Sequence, residues 1–354
     1  MKLIKSTILI LFVLVSTQMY SQYTDVINSN RPGVSRSAFS VGTKVAQFEV
    51  GPYFIKEKRT PALQTETSGY GIDFAARYGL LLEQLELNIE GTYQNDTKTY
   101  FSTVPFDENR SNFKNLTIGA KYLIFDPYKN SENDKPNLYS WKANHQFKWS
   151  SLIPAVSAYI GVNYDTKNNP YVAPGVEGIS PKVMLISQNN FNSGWVLVTN
   201  LIFDRLFVNP KDINGNPIVI NGKEYKASEF QYIITLTHSF SPKWVVFGET
   251  QGIKSDFYAD NLFRFGGAYL WGKDFQLDTA ITLNTKDTPS VFSVNFGASY
   301  RLDFHKDKIQ KNENIDNGAS AKEEGKRRSR KNKKTTDVIE DYNKKHKRKV
   351  QKFN

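Results

Sequence analysis

Apolar and polar residues alternate along most of this chain with a period of two. The clearest case is 291–304, VFSVNFGASYRLDF. Phe292, Val294, Phe296, Ala298, Tyr300, Leu302 and Phe304 form an apolar row, against a polar or small row of Val291, Ser293, Asn295, Gly297, Ser299, Arg301 and Asp303. A period of two makes this a strand and excludes a helix. It exceeds the usual soluble strand of about 5–6 residues. It suits a tilted strand that crosses a bilayer, which needs about 9–11 residues.

Eleven earlier stretches predict further strands: 44–54, 69–78, 84–93, 112–124, 151–163, 178–187, 194–204, 228–240, 243–253, 261–271 and 273–284. In 84–93, Leu85, Leu87, Ile89 and Tyr93 oppose Glu86, Asn88 and Glu90; in 273–284, Phe275, Leu277, Ile281 and Leu283 oppose Asp274, Gln276, Asp278 and Thr282. The facing of 243–253 is ambiguous. Pro154 and Pro181 each remove a ladder hydrogen bond, so a strand end or bulge is expected near them. The connections alternate in length. Short turns are expected near 80–83, 189–193, 241–242 and 272, and long polar loops at 55–68, 95–111, 164–177 and 205–227. Short turns at one end and long loops at the other mark an outer-membrane barrel. The connection 126–149 breaks this rule, being long where a short turn belongs.

The resulting fold class is all-β: a transmembrane β-barrel of about 12 antiparallel strands at 44–304. Closure follows from the solvent. Lipid offers no hydrogen bonds, so every backbone group must pair within the sheet. The aromatic content of 14% fits interfacial girdles, to which Tyr70, Tyr78, Tyr93, Tyr269, Trp271, Tyr300 and Phe304 are assigned.

The chain begins with a basic n-region at Lys2 and Lys5, an apolar core at 8–15 and a small residue, Ser21, before Gln22. This pattern reads as a secretory signal peptide over 1–21. Residues 22–43 are polar and are expected to form a separate periplasmic segment with a turn at Asn30-Arg31-Pro32-Gly33. No later run is apolar enough for a spanning helix. With no cysteine, a lipoprotein, a disulfide scaffold and a thiolate metal site are all excluded.

The net charge of +11 divides unevenly. Residues 306–354 hold 17 Lys/Arg and 8 Asp/Glu, whereas 22–305 hold 27 of each. The chain therefore has a neutral body and a basic tail, 305–354, expected to be disordered and to lie in the periplasm. Lys326, Arg327, Arg328, Arg330, Lys344, Lys345, Lys347 and Arg348 are the candidate partner-binding residues of that tail. Export argues against nucleic acid as their target. The expected partner is acidic, a periplasmic or outer-membrane protein complex or the carboxylates of the cell wall, along with the lipid bilayer itself.

Candidate lumen residues are Glu49, Asp73, Arg77, Glu86, Glu90, Lys121, Glu249, Arg264, Asp274, Asp278 and Arg301. They suit either a charged pore that selects solutes or an ion-paired network that fills a narrow barrel. Asp278 is expected to tolerate lysine better than its lipid-facing neighbour Ile281 tolerates arginine. Catalysis is not expected. The histidines are His145, His238, His305 and His346, none at metal-ligand spacing, and His238 and Ser239 face opposite sides of one strand. No cofactor motif is present.

Three segments carry a family resemblance. Asn30-Arg31-Pro32-Gly33, Phe39-Ser40-Val41-Gly42 and Gln47-Phe48-Glu49-Val50-Gly51 resemble the opening of a bacterial outer-membrane family named for the meta-pathway of phenol degradation. Leu152-Ile153-Pro154-Ala155-Val156 and Tyr300-Arg301-Leu302 are similar to it as well. The resemblance covers about 28–304 and implies a porin-like barrel that passes small hydrophobic or aromatic molecules. It supplies no site residues, and the basic tail departs from its pattern. The expected function is a transporter-like channel in the outer membrane. The alternative is a non-conducting accessory subunit of a machine for protein secretion or barrel assembly, docked through the tail.

Overall fold

The computed structural model describes residues 26–60, 64–128, 149–191, 194–212, 214–220 and 222–304. The expected signal peptide at 1–21, the expected tail at 305–354, and His145, His305 and His346 lie outside these residues.

The strands are β1 (Val45–Arg59), β2 (Thr65–Gly79), β3 (Leu85–Tyr100), β4 (Phe106–Phe125), β5 (Ala155–Asp165), β6 (Gly178–Phe191), β7 (Trp195–Asp204), β8 (Val219–Ile220), β9 (Lys223–Glu224), β10 (Glu229–Ser239), β11 (Trp244–Lys254), β12 (Ala259–Trp271), β13 (Phe275–Asn284) and β14 (Ser290–Asp303). The short pair β8–β9 is a hairpin inside one connection. The other twelve form a closed barrel of antiparallel neighbours, with β14 pairing back onto β1. This is an all-β barrel of outer-membrane type, and every expected strand is present. Closure leaves no sheet edge, as lipid requires.

The two rows of each strand face as their chemistry demands. Phe48, Ile89, Ile118, Ile160, Ile179, Phe265, Leu277, Ile281 and Phe296 are exposed outward, while Gln47, Glu49, Arg77, Glu86, Lys121, Asn200, Glu249 and Asp278 are buried inside. The structure resolves β11: Trp244 and Val246 face out, and Phe247, Glu249 and Gln251 face in. Pro154 directly precedes β5. Pro181 sits within β6, but the β6–β7 ladder starts only at Val183↔Phe203, so its missing N–H falls beyond the end of β7.

Two expected loops turn out to be strand. The stretches 55–68 and 95–111 contain only short connections, because β1, β2, β3 and β4 run on to Arg59, Thr65, Tyr100 and Phe106. There the ladder continues with polar residues on both faces: Thr97 bonds Asn109, Thr99 bonds Asp107 and Lys56 pairs with Glu66. Above the bilayer the outer row need not be apolar, so the alternation disappears while backbone pairing persists. A bulge in β4 near Lys114 adjusts the register as the hairpin rises. Connections 166–177 and 205–228 remain long, as expected. Of the long connection at the short-turn end, the described parts are 126–128 and 149–154, the latter holding a 3-10 turn at Trp149–Leu152.

Candidate functional site: a filled lumen

Residues 27–43 are not a segment apart from the barrel. They enter at the short-turn end, where the Ile27 N–H donates to the Lys273 carbonyl, and then lie inside the lumen. Residues 28–41 are polar, with small residues at Gly33, Ser35, Ser37, Ala38 and Ser40. Such a strip can pass between opposite walls and expose its backbone groups to them. Those groups need partners, and the inward row of the barrel provides them.

The first cluster holds the start of the segment. Arg77 on β2 forks onto Glu86 of β3 with two bonds of 2.9 Å and reaches Glu49 of β1 at 3.2 Å. Its Nη1 also donates to the Asn28 carbonyl at 2.7 Å, an acceptor shared with Gln47 Nε2 at 3.1 Å. Lys121 of β4 sits 3.2 Å from Glu86 and donates to the carbonyls of Ser37 and Phe39, each at 2.9 Å. Glu86 closes the circuit by accepting from the Val41 N–H at 3.1 Å. Bidentate, charge-assisted bonds of this kind are the strong ones, and a buried ion pair holds only when its remaining valences are also filled. Here the segment's own backbone fills them.

The second cluster centres on Glu249 of β11. Its carboxylate accepts from Arg264 at 3.1 Å, Thr235 at 2.8 Å, and the N–H groups of Val34 and Ser35 at 3.2 Å. Gly33 lets the chain approach, since a Cβ there would crowd Glu249 Oε2. In the third cluster, Arg31 contacts Asp278 of β13 through Nε at 3.3 Å and lies 3.9 Å from Asp73 of β2. In the fourth, Arg36 pairs with Glu90, which also lies 3.7 Å from Lys182. The Arg36 guanidinium rests 4.2 Å over the Tyr159 ring. The Asn200 amide on β7 accepts the Arg36 N–H at 2.6 Å and donates back to its carbonyl at 3.0 Å. Gln188 takes the Ala38 N–H at 3.0 Å, and Ser157 donates to the Ala38 carbonyl.

One side of the lumen is apolar. Ala38 packs with Leu123, Ala155, Tyr159, Met184, Ile186, Ile202 and Ile233, and Phe39 and Tyr128 cover that cluster.

The loop end is narrowed separately. Loop 166–177 brings the Tyr171 hydroxyl 3.2 Å from the carbonyls of both Gln94 and Arg110, and Asn169 donates to the Phe113 carbonyl at 2.7 Å. Burial raises the Tyr171 hydroxyl above the ordinary tyrosine range, so it remains a donor. Below it, Tyr53 bonds Gln94 at 2.8 Å, and Asp96 is paired with Arg110 at 2.7 Å.

Ten of the eleven candidate lumen residues line the interior: Glu49, Asp73, Arg77, Glu86, Glu90, Lys121, Glu249, Arg264, Asp278 and Arg301. Arg301 sits at the rim with Asp303 at 3.2 Å. Asp274 is a correction: it lies exposed in the turn between β12 and β13, before the strand begins. The tail candidates lie outside the described residues. Sequence reasoning missed the cations of the segment, Arg31 and Arg36, and the wall amides Gln47, Gln188 and Asn200. The available signal was amides at inward-row positions, facing a strip of small residues with two arginines. His238 faces outward, stacked 4.2 Å from Trp195, and no group of three or more potential metal ligands occurs among the described residues.

A family model described as "Putative MetA-pathway of phenol degradation" matches residues 29–302. The chain belongs to this family. The match spans both the lumen segment and the barrel, so the two are parts of one family unit. No protein of curated function matches the sequence. Among solved structures, the COG4313 outer membrane channel from Pseudomonas putida F1 is 9% identical, with 78% of this chain and 100% of that chain covered and a TM-score of 0.47. The translocator domain of the autotransporter NalP from Neisseria meningitidis is 9% identical over 74% of this chain and 89% of that one, with a TM-score of 0.44. A TodX mutant, a monoaromatic hydrocarbon channel, is 11% identical over 82% and 98%, with a TM-score of 0.38.

Proposed function

We propose that this protein is an outer-membrane channel for small solutes whose resting lumen is occupied by its own residues 28–41. One observation carries the reading: the segment is held largely by hydrogen bonds between its backbone and polar wall side chains, at Glu249, Asn200, Gln188, Lys121 and Glu86. Water can take over each of these bonds, so the segment can shift without uncovering a dry core. The ion pairs of Arg31 and Arg36 and the apolar contacts of Ala38 and Phe39 are its firmer holds. The family name supports small aromatic molecules as the cargo class, and we read the barrel as non-enzymatic. On this reading residues 1–21 are the signal peptide, and both chain ends of the barrel, with the basic tail 305–354, lie in the periplasm. There the tail binds an acidic partner.

Planar-bilayer recordings on the full chain and on a chain lacking residues 28–41 test this. Removal of the segment is expected to convert small or intermittent currents into steady ones. A shortened barrel that inserts but remains sealed overturns the channel reading in favour of an accessory subunit docked by its tail.

A further inference from the structure

The bulge in β4 carries one residue too many for its ladder. Thr92 of β3 opposes Asn115 and Tyr93 opposes Phe113, so Lys114 has no partner on β3. It has none on β5 either, because the β4–β5 ladder begins only at Thr117↔Asn163. Loop side chains brace the bulge instead. Asn169 donates to the Phe113 carbonyl at 2.7 Å, Arg205 Nη2 to the Lys114 carbonyl at 3.3 Å, and Thr166 to Asn112 Oδ1 at 2.9 Å. A bulge re-aims a side chain, and here that side chain is a lysine. The charged groups that act on the Lys114 ammonium are Asp73, Glu57, Asp96 and Arg264, from β2, β1, β3 and β12. All four belong to inward rows, so Lys114 points into the lumen.

Each of those groups already has a partner of its own. Asp96 pairs with Arg110 at 2.7 Å, Glu57 with Arg59 at 2.7 Å and Arg264 with Glu249 at 3.1 Å. Asp73 takes the Thr92 hydroxyl at 2.7 Å and lies 3.9 Å from Arg31. Among the described residues none forms an ion pair or hydrogen bond with the Lys114 ammonium. The next residue, Asn115, opposes Thr92 on the same inward row, and its Oδ1 is buried without a hydrogen-bond partner. Elsewhere the lumen completes its charge circuits. Here two adjacent side chains leave theirs open. Two aromatic residues stand over the same spot. Tyr53 and Tyr171 both bond Gln94, two positions along β3 from Thr92, at 2.8 and 3.2 Å. A Cβ on Gly71 would meet the Tyr53 ring, so glycine there lets the ring lie across β2.

We infer that Lys114 and Asn115 form a binding site for small aromatic carboxylates in the lumen, beneath the Tyr171 constriction. The inference rests on the channel reading and names a cargo for it. A half-buried ammonium with no counter-charge is costly. A carboxylate supplies both the charge and the acceptors, in bonds of the strong, charge-assisted kind. Asn115 Oδ1 takes a hydroxyl of the ligand or a water of its shell. Tyr53 and Tyr171 offer ring faces and edges against which an aromatic body packs. A neutral hydrocarbon meets the same rings but leaves the ammonium unpaired, so it is held less.

Isothermal titration of benzoate into the full chain in detergent micelles tests the site, with benzyl alcohol as the uncharged comparison. Benzoate is expected to bind and benzyl alcohol to bind far less. Lys114→Gln is expected to weaken benzoate by about tenfold or more, the worth of a hydrogen bond to a charged group. Lys114→Arg keeps the charge and is expected to retain binding. Asn115→Asp sets a carboxylate beside the ammonium and is expected to repel benzoate; it serves as the second variant if Lys114→Gln does not fold, with heat modifiability as the check on folding. Benzoate binding that both variants leave unchanged overturns the site. So does benzyl alcohol binding as well as benzoate, or no binding at all. Planar-bilayer current separates this outcome from the channel reading. Steady current through the chain lacking residues 28–41, with no benzoate bound by the full chain, leaves the channel and removes the site. Benzoate bound by the full chain, with the shortened barrel still sealed, removes the channel and leaves a binding site without transport.

Discussion

At the scale of single residues, the lumen is governed by completed charge circuits. Arg77 is shared among Glu86, Glu49 and the Asn28 carbonyl. Arg77→Met leaves two buried carboxylates short of a partner, and breaking a buried pair typically costs about 3–5 kcal/mol. Urea unfolding in lipid vesicles is expected to show that loss, with a smaller one for Arg264→Met, because Glu249 retains Thr235 and two backbone donors. On the outer face, Ile281→Arg puts a charge toward hydrocarbon and is expected to lower stability by about 2–4 kcal/mol. The sequence reading expects Asp278→Lys to be mild. The structure corrects this, because Asp278 receives Arg31. Lysine there sets two cations together at a buried site, whereas Asp278→Asn keeps an acceptor. The expected order of stability is therefore Asn well above Lys at 278, measured in the same unfolding series.

At the scale of elements, the β3–β4 hairpin shows how strand and membrane part company. β4 has 20 residues, about twice what a spanning strand needs. Its upper part pairs through Thr97–Asn109, Thr99–Asp107 and Tyr100–Glu108, all exposed. Replacing 97–109 by an Asn-Gly turn retains Asp96 and Arg110, whose ion pair closes the shortened hairpin. We expect that variant to insert and to show normal heat modifiability. Failure to insert shows that the upper hairpin is needed for folding rather than being a projection above the bilayer.

At the scale of the whole molecule, closure depends on β14 reaching its end. Ala298 to Asp303 pair with Val50 to Val45, and the Phe304 N–H donates to the Lys44 carbonyl at 3.1 Å. Truncation after Phe304 is expected to give an inserted, heat-modifiable barrel. Truncation after Phe296 removes the pairing of Ala298 to Asp303 with β1 and leaves a sheet edge in lipid, so insertion should fail. The residues removed in the first case include 17 basic and 8 acidic ones from 306 on, against a body of zero net charge. Pull-down from envelope extracts with and without 306–354 is expected to differ in acidic partners. That difference should fade with salt, since exposed charges are screened over about 8–10 Å at physiological strength. Identical partner sets would remove any binding role from the tail.

The sequence by itself determined the barrel. A two-residue period repeated twelve times, with lipid on one side, allows one closed solution, and Glu49, Arg77, Glu86 and Glu249 could be placed inward from parity alone. Parity failed at Asp274, because turn and strand share an alternating pattern until a partner strand defines where pairing starts. It also failed above the membrane, where Thr97 to Tyr100 lose their apolar face but keep their ladder. Only the tertiary structure decided what fills the lumen. Residues 28–41 carry no periodicity, since their bonds go to ten different strands rather than to one neighbour. Nothing local distinguishes Arg31 in a polar stretch from Arg31 bonded to the Phe296 carbonyl of the barrel wall. That difference arises when Gly51 and Pro52 meet Phe296 and Gly297, more than 240 positions away in the chain, where β1 pairs with β14.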